Sequence, residues 1–333
     1  MHFLKPCLQT ISKCHYKSVE TIVVDNGSRD GSVEWIRKYY PHVRIRVLSH
    51  NVGFARGNNE GYRIAKGDFI VFLNNDTEVH PYFIDEMVKK WKEDQNIGGI
   101  QSKLLLMDDR TRLDSVGAFF TWSGFLYHWG FGKKDNPKYD GTNVLFTLKG
   151  ACMGFPKKVL ESVLVHGTVF DPLFFSYFEE TDLCHRIWIA GKTIQYAPHS
   201  VVYHKMGGTS TEMNTAFIQF HSYKNRITSY MRNFEWKNLW FLPFHIMLCI
   251  GIASALFIQG KREYGWGIFR AIIWNIRHMP DTLGKRLFIQ RSIRRVPDSS
   301  YLPRILVFPG LGYFRRLFDG TAGNEEKEWI TRG

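Results

Sequence analysis

Asp25 and Asp76 each close a short apolar run, Thr21-Ile22-Val23-Val24 in one case and Phe69-Ile70-Val71-Phe72-Leu73 in the other. In open α/β sheets the crevice lies beyond the strand ends, so both carboxylates should point into it. One can serve a base or ribose, the other a divalent cation bound to a diphosphate. Each could equally do no more than cap the next helix. Arg56, in Gly53-Phe54-Ala55-Arg56-Gly57-Asn58-Asn59, stands near a helix start, where anions bind. A third group is Phe178-Glu179-Glu180-Thr181-Asp182-Leu183, whose acids fall in the first turn of a helix with Leu183, Ile187 and Ala190 on its apolar face. The helix dipole favours their ionised form there, which a general base needs, although acids are common at any helix start. His204 ends Val201-Val202-Tyr203 beside the Gly-rich stretch Gly207-Gly208-Thr209-Ser210, where an imidazole could complete a metal site begun by Asp76.

These residues need a scaffold of alternating elements. The first apolar run breaks at the turn Asp25-Asn26-Gly27-Ser28, and Asp30 or Ser32 can cap a helix through Val33, Ile36 and Tyr40 that stops at Pro41. Val43, Ile45 and Val47 alternate as a half-buried strand. A Gly/Asn-rich helix is expected from about Phe54 to Ala65, and the continuous apolar run from Phe69 suits a strand covered on both faces. It leads into Asn74-Asn75-Asp76, and Pro81 opens a helix to about Glu93. Strand-helix order of this kind predicts an α/β fold with a mainly parallel central sheet. The stretch from Ile97 to Leu148 reads as irregular, with short strands at best.

Composition narrows the partners. The 333 residues are 44% hydrophobic and carry a net charge of +13, which excludes a disordered chain and favours an acidic partner. Five scattered cysteines give no disulfide framework and suit a reducing compartment, and the first residues do not read as a signal peptide. Lys224 to Arg295 holds 13 Lys and Arg against 3 Asp and Glu. Within it runs Leu239 to Ile258, with His245 as its one ionisable residue and basic flanks on both sides. That pattern suits a re-entrant or interface-lying segment better than a single crossing. A buried core helix is the plainer alternative. No nucleic-acid motif accompanies the charge, so no nucleic-acid partner is expected.

Six segments in order carry a resemblance: Val23-Val24-Asp25-Asn26-Gly27-Ser28, the stretch Asn51 to Asn59, Leu73-Asn74-Asn75-Asp76-Thr77, Gly150-Ala151-Cys152-Met153, the Glu179-Glu180 segment and the segment from His204 to Ser210. Together they resemble a family 2 glycosyltransferase of the rhamnosyltransferase-like branch. The resemblance covers residues 1–235 as a catalytic domain and leaves 236–333 as a basic, apolar, membrane-associated helical tail. It implies a GT-A fold, a nucleoside-diphosphate sugar donor (dTDP- or UDP-linked), Mn²⁺ or Mg²⁺, and inversion at the anomeric carbon. The acceptor it implies is a hydroxyl of a glycan or polyprenyl-diphosphate-linked molecule, with rhamnose among the sugars moved, in cell-surface polysaccharide synthesis at the cytoplasmic face of the membrane.

Carried over by motif, Asp25, Arg56 and Asn75 would contact the nucleotide sugar, while Asp76 and His204 would hold the metal. Asn74 stands where the family has a first acid. Glu180 is the favoured base, with Glu179 and Asp182 as alternatives. The family also begins with an apolar strand that lines the nucleotide site, and Met1 falls just after it. That strand is therefore expected to be missing, and a noncatalytic membrane scaffold is the competing expectation.

Overall fold

A computed structural model describes residues 1–141, 144–207, 215–310 and 313. Gly208, Thr209 and Ser210, and the tail beyond residue 313, lie outside the described residues. The chain opens with α1 (Leu4–Ile11), β1 (Ile22–Asp25), α2 (Ser32–Tyr39), β2 (Arg44–Val47) and α3 (Gly53–Ile64). Then come β3 (Phe69–Leu73), β4 (Thr77–Val79), α4 (Phe83–Glu93) and β5 (Ile97–Leu106). From β1 to β3, and at α4, these follow the expected order, because each apolar run is punctuated by a Gly, Asn or Asp turn that ends it; β4 and β5 were not expected.

The sheet corrects the expected parallel arrangement. A six-stranded sheet runs β3, β9 (Cys152–Pro156), β5, β10 (Thr193–His204), β4, with β6 (Leu113–Ser115) beside β5. Only β5 and β10 are parallel in it; β3–β9, β9–β5 and β10–β4 are antiparallel, so the sheet is mixed. The stretch expected to be irregular supplies the ten-residue β5, buried along nearly its whole length. Its Gly98, Gly99, Gln101, Ser102 and Lys103 hide the strand from an apolar-pattern reading. The glycines answer to packing: a Cβ on Gly98 would lie 2.4 Å from Ile187, and one on Gly99 2.9 Å from Ile194. The polar residues are paired inside, Ser102 with Ser200 at 2.8 Å and Lys103 with Asp140 at 2.7 Å. The same stretch adds the hairpin β7 (Ala118–Thr121) and β8 (Leu126–His128), and α5 (Lys157–Ser162) follows β9.

β1 and β2 stand apart from this sheet. They pair in parallel with each other, and among the described residues β1 has no second partner strand. β3, in turn, pairs only with β9. Consecutive residues of both strands, Ile22–Asp25 and Phe69–Leu73, line the same cavity of about 1330 Å³. Side chains in a strand alternate between faces, so unbroken lining by successive residues means that two main-chain edges look at each other across the space.

The C-terminal elements are α6 (Glu179–Ile189), then, after β10, α7 (Thr215–Asn233), α8 (Phe241–Ile258), α9 (Arg262–Arg277), α10 (Met279–Phe288), α11 (Leu302–Ile305) and β11 (Leu306–Val307), which pairs with β7. They share one core with the α/β part. Phe241, Leu242, Tyr301 and Ile305 join Phe120, Phe146, Trp188 and Tyr230 in a single buried cluster. α8 is long and apolar enough to cross a membrane, with a mean hydropathy of 2.2, yet one face packs inward through His245, Cys249, Ile252 and Leu256. His245 Nδ1 donates to the Ser123 carbonyl at 2.7 Å. The other face leaves Trp240, Met247, Ile250 and Ile258 exposed, Ile258 at 88%.

Candidate active site

The large cavity gathers most of the expected residues. Asp25, Asn75, Asp76, Glu179, Glu180 and His204 all line it. Arg56 does not: α3 presents Phe54, Gly57, Asn58 and Gly61 to the cavity and turns Arg56 outward to solvent. Asp182 is also outside the lining. Its carboxylate is used internally, one oxygen accepting from Arg186 Nε at 3.0 Å and the other from Asn233 Nδ2 at 2.9 Å. Both oxygens are therefore committed inside the protein, one within α6 and the other holding α6 to α7.

The turns after β1 and before α3 are stitched together by asparagines that sequence reading did not single out. Asn26 donates to Asn51 Oδ1 at 3.0 Å and accepts from Val52 N–H at 2.9 Å, while Asn51 Oδ1 accepts from Gly53 N–H at 2.9 Å. The strand-end turn of β1 is thus fixed to the start of α3. Asp25 Oδ2 accepts from the Ser28 N–H at 3.3 Å, which makes it a turn residue as well as a cavity residue. Gly53 has φ +84°, and a Cβ there would lie 2.6 Å from the Phe175 carbonyl, so only glycine allows this approach.

Asp76 and His204 meet because their strands pair. His204 lies opposite Thr77 in the antiparallel β10–β4 ladder, one residue from Asp76, and Lys205 N–H donates to the Asp76 carbonyl at 2.9 Å. His204 Nε2 stands 3.5 Å from Asp76 Oδ1. On its other side, His204 Nδ1 donates to Asp114 Oδ2 at 2.9 Å. Asp114 is fully buried on β6 and accepts from Lys149 Nζ at 2.7 Å. Burial alone would lower the His204 pKa, but the Asp114 charge and the bonds to Asp114 and Asp76 outweigh it and lift it to about 9. Asp114 was missed because it sits in the stretch read as irregular. Among the described residues no third His, Cys, Asp or Glu joins the pair. Hard divalent cations are commonly held by one or two protein ligands, with phosphates and water filling the remaining positions. The residues present fit such a cation.

Glu179 and Glu180 start α6 after an unusual loop. Phe175, Tyr177 and Phe178 have φ of 63°, 69° and 71°, left-handed values that cost about 1–3 kcal/mol each for such side chains. α7 holds the loop in place. Asn225 Nδ2 donates to the carbonyls of Phe174 at 2.9 Å and Ser176 at 3.0 Å, and also to that of Tyr177. Lys224 Nζ donates to the Leu173 carbonyl at 2.6 Å. Glu179 is buried, and burial together with the neighbouring Glu180 charge drives its pKa well up. Glu180 is half-buried, deep in the cavity but still meeting solvent. Burial raises it to about 7, against the lowering pull of nearby backbone amides and of Lys149. A carboxylate poised near neutrality in such a cavity can take a proton from a hydroxyl.

Residues 2–164 match the family model described as Glycosyl transferase family 2. Among curated proteins, the chain is 30% identical over 93 residues to the uncharacterized glycosyltransferase YibD of Escherichia coli, covering 27% of each chain. It is 27% identical over 96 residues to the glycosyltransferase GlyA of Streptococcus pneumoniae, covering 28% of this chain and 14% of that protein. The matches thus span about a quarter or less of these relatives' length. Solved structures extend the likeness to most of the chain. A GalNAc-T7 structure with UDP, GalNAc and Mn²⁺ superposes with a TM-score of 0.56 at 13% identity, over 82% of this chain and 54% of that one. Staphylococcus aureus TarS 1-349 with UDP-GlcNAc superposes with a TM-score of 0.54 at 14% identity, over 99% and 88%. The likeness to the glycosyl transferase family 2 model thus covers residues 2–164, and the fold is similar to that of these GT-A-type glycosyltransferase structures.

Proposed function

We propose that the chain is an inverting, metal-dependent glycosyltransferase. It moves a sugar, rhamnose among the candidates, from a dTDP- or UDP-linked donor to a hydroxyl of a glycan or polyprenyl-diphosphate-linked acceptor. The observation that carries this reading is the shared cavity: Asp25 and Asn75, Asp76 with His204, and Glu180 line one continuous space. Asp25 and Asn75 receive the nucleotide. Asp76 and His204 would hold Mn²⁺ or Mg²⁺, which when bound would offset the charge that builds on a departing nucleoside diphosphate. Glu180 accepts the proton of the attacking hydroxyl, and one such base suffices for a single displacement with inversion. Lys149, ion-paired to Asp114 below, keeps Glu180 from being pushed still higher. The neighbours crystallised with UDP and Mn²⁺ and with UDP-GlcNAc support a donor of this class.

Two further parts of the reading have separate support. The open edges of β1 and β3 across the cavity support a missing strand between them. The exposed apolar face of α8, with Trp266 and Ile276 of α9 also exposed, supports attachment to the cytoplasmic membrane surface without crossing it. The test is release of UDP or dTDP from a panel of sugar nucleotides, with membrane extract as acceptor and with Mn²⁺ or EDTA. Cation-dependent release that needs the extract is the expected result. No release from any donor would favour the scaffold reading.

A further inference from the structure

α7 turns Gln219, Ser222, Tyr223 and Arg226 toward the cavity, the spacing of one helix face. The guanidinium of Arg226 lies over three buried rings, 4.6 Å from the centroid of Phe125, 5.2 Å from Tyr223 and 5.3 Å from Phe178. Its Nε and Nη1 are closed to solvent and donate to no acceptor. Ring faces compensate a buried charge only in part, and an uncompensated one is costly to keep. The chain therefore holds a cation ready without supplying its anion.

The position of Arg226 points to which molecule brings that anion. Phe178 directly precedes Glu179 and Glu180, so the cage adjoins the proton acceptor. Asp25, Asn26 and Asn51 belong to β1 and the turn before α3, on other elements of the cavity wall. On its far side the cage meets α8, where Phe125 packs on His245 with ring centroids 4.8 Å apart. His245 lies on the buried face of that helix. A phosphoryl group at Arg226 would thus sit beside a hydroxyl held at Glu180, on the wall of the cavity away from the turn that follows β1.

Resting on the glycosyltransferase reading, we propose that Arg226 binds a phosphoryl group of the acceptor. Nη2, the guanidinium nitrogen left open to the cavity, can donate to a phosphate oxygen, while the rings wall the rest of the cation against water.

The test uses farnesyl phosphate and farnesol as probes, titrated into the full chain in EDTA so that no cation draws phosphate toward Asp76. The wild type should bind the phosphate at least ~10-fold more tightly than the alcohol, the scale of one charge-assisted contact. Arg226→Met should erase that difference and Arg226→Lys keep part of it. In both variants the affinity for UDP with Mn²⁺ should stay within about twofold, since one lost contact would cost about tenfold. A fall in UDP affinity instead would assign Arg226 to the donor, and an unchanged preference for the phosphate would remove the subsite. Arg226→Met should also melt no lower than the wild type, because a half-buried cation with two unpaired nitrogens has been removed. Its unfolding would make Arg226 a structural residue and overturn the proposal. If the wild type bound no UDP with Mn²⁺, the glycosyltransferase reading would fail, while the farnesyl phosphate comparison would still judge Arg226.

Discussion

His204 Nδ1 donates to Asp114 Oδ2 at 2.9 Å, which leaves Nε2 as the ring nitrogen that faces Asp76. A carboxylate behind an imidazole fixes the ring's orientation and makes it a better ligand. Asp114→Asn should therefore weaken Mn²⁺ binding by about 10- to 100-fold with the fold retained. Calorimetric titration of Mn²⁺ with UDP checks this, and unchanged affinity would leave Asp114 a packing residue.

The same pair predicts a pH dependence of stability. The His204 pKa is raised from 6.5 to about 9 in the cation-free protein. The folded state therefore holds that proton more tightly than the unfolded chain does. The stabilisation is complete below about 6.5 and is lost as pH rises through about 9. Melting in EDTA should show a decline of several degrees across that window, and Asp114→Asn should flatten it.

Glu180→Gln should leave donor binding intact and reduce turnover at least ~100-fold, the scale of losing a general base. The wild-type rate should rise with pH through about 7, where Glu180 ionises. Asp182 behaves differently because both of its oxygens are bonded inside the protein. Asp182→Ala should destabilise by about 3–5 kcal/mol by leaving Arg186 buried without its partner. Activity measurements set beside chemical denaturation separate the two. An inactive, fully stable Asp182→Ala protein would move the base to Asp182.

Asn225 carries no charge and does not line the cavity, yet it bonds three carbonyls of the loop before Glu179. Three residues of that loop are in left-handed conformations and need such restraint. Asn225→Leu should lower kcat about 10-fold or more while the affinity for UDP stays unchanged, because it displaces the base and not the nucleotide. A rise in KM for the donor alone would contradict this.

Trp240 and Ile258 project from α8 at 72% and 88% exposure. If they sit in lipid, changing both to Ser should abolish flotation with anionic liposomes at high salt, where the attraction of Lys and Arg is screened. Cutting the chain after Asn233 is not a usable test, since Phe241, Leu242 and Tyr301 belong to the main core.

The elements before residue 95 were legible because each apolar run ends at a Gly, Asn or Asp turn, and those turns carry Asp25 and Asp76 to the cavity. β5 was not legible. Its glycines are demanded by Ile187 and Ile194, far away in sequence, and its polar residues are satisfied by partners no local pattern reveals. Asp114 was hidden with it. The acids of α6 could be found but not ranked, since only the packing of α7 shows that Asp182 is spent on Arg186 and Asn233 while Glu180 is open to the cavity. Arg56 looked like an anion contact by its place at a helix start, and the facing of α3 turns it outward.

β1 and β2 form a ribbon of two strands, a size that is marginal on its own in water. Among the described residues no hydrogen-bonded ladder ties the ribbon to β3, so it is held by side-chain packing and by side-chain bonds such as Asn26–Asn51, Arg46–Glu60 and Arg44 to the Ile64 carbonyl. Amide exchange should therefore run far faster in Ile22–Asp25 than in Ile97–Leu106. The half of the cavity proposed to receive the nucleotide is then the compliant half, and the half that carries Glu180 is the rigid one. A bound nucleotide would act there as a splint, giving its greatest exchange protection to the ribbon and little to the six-stranded sheet.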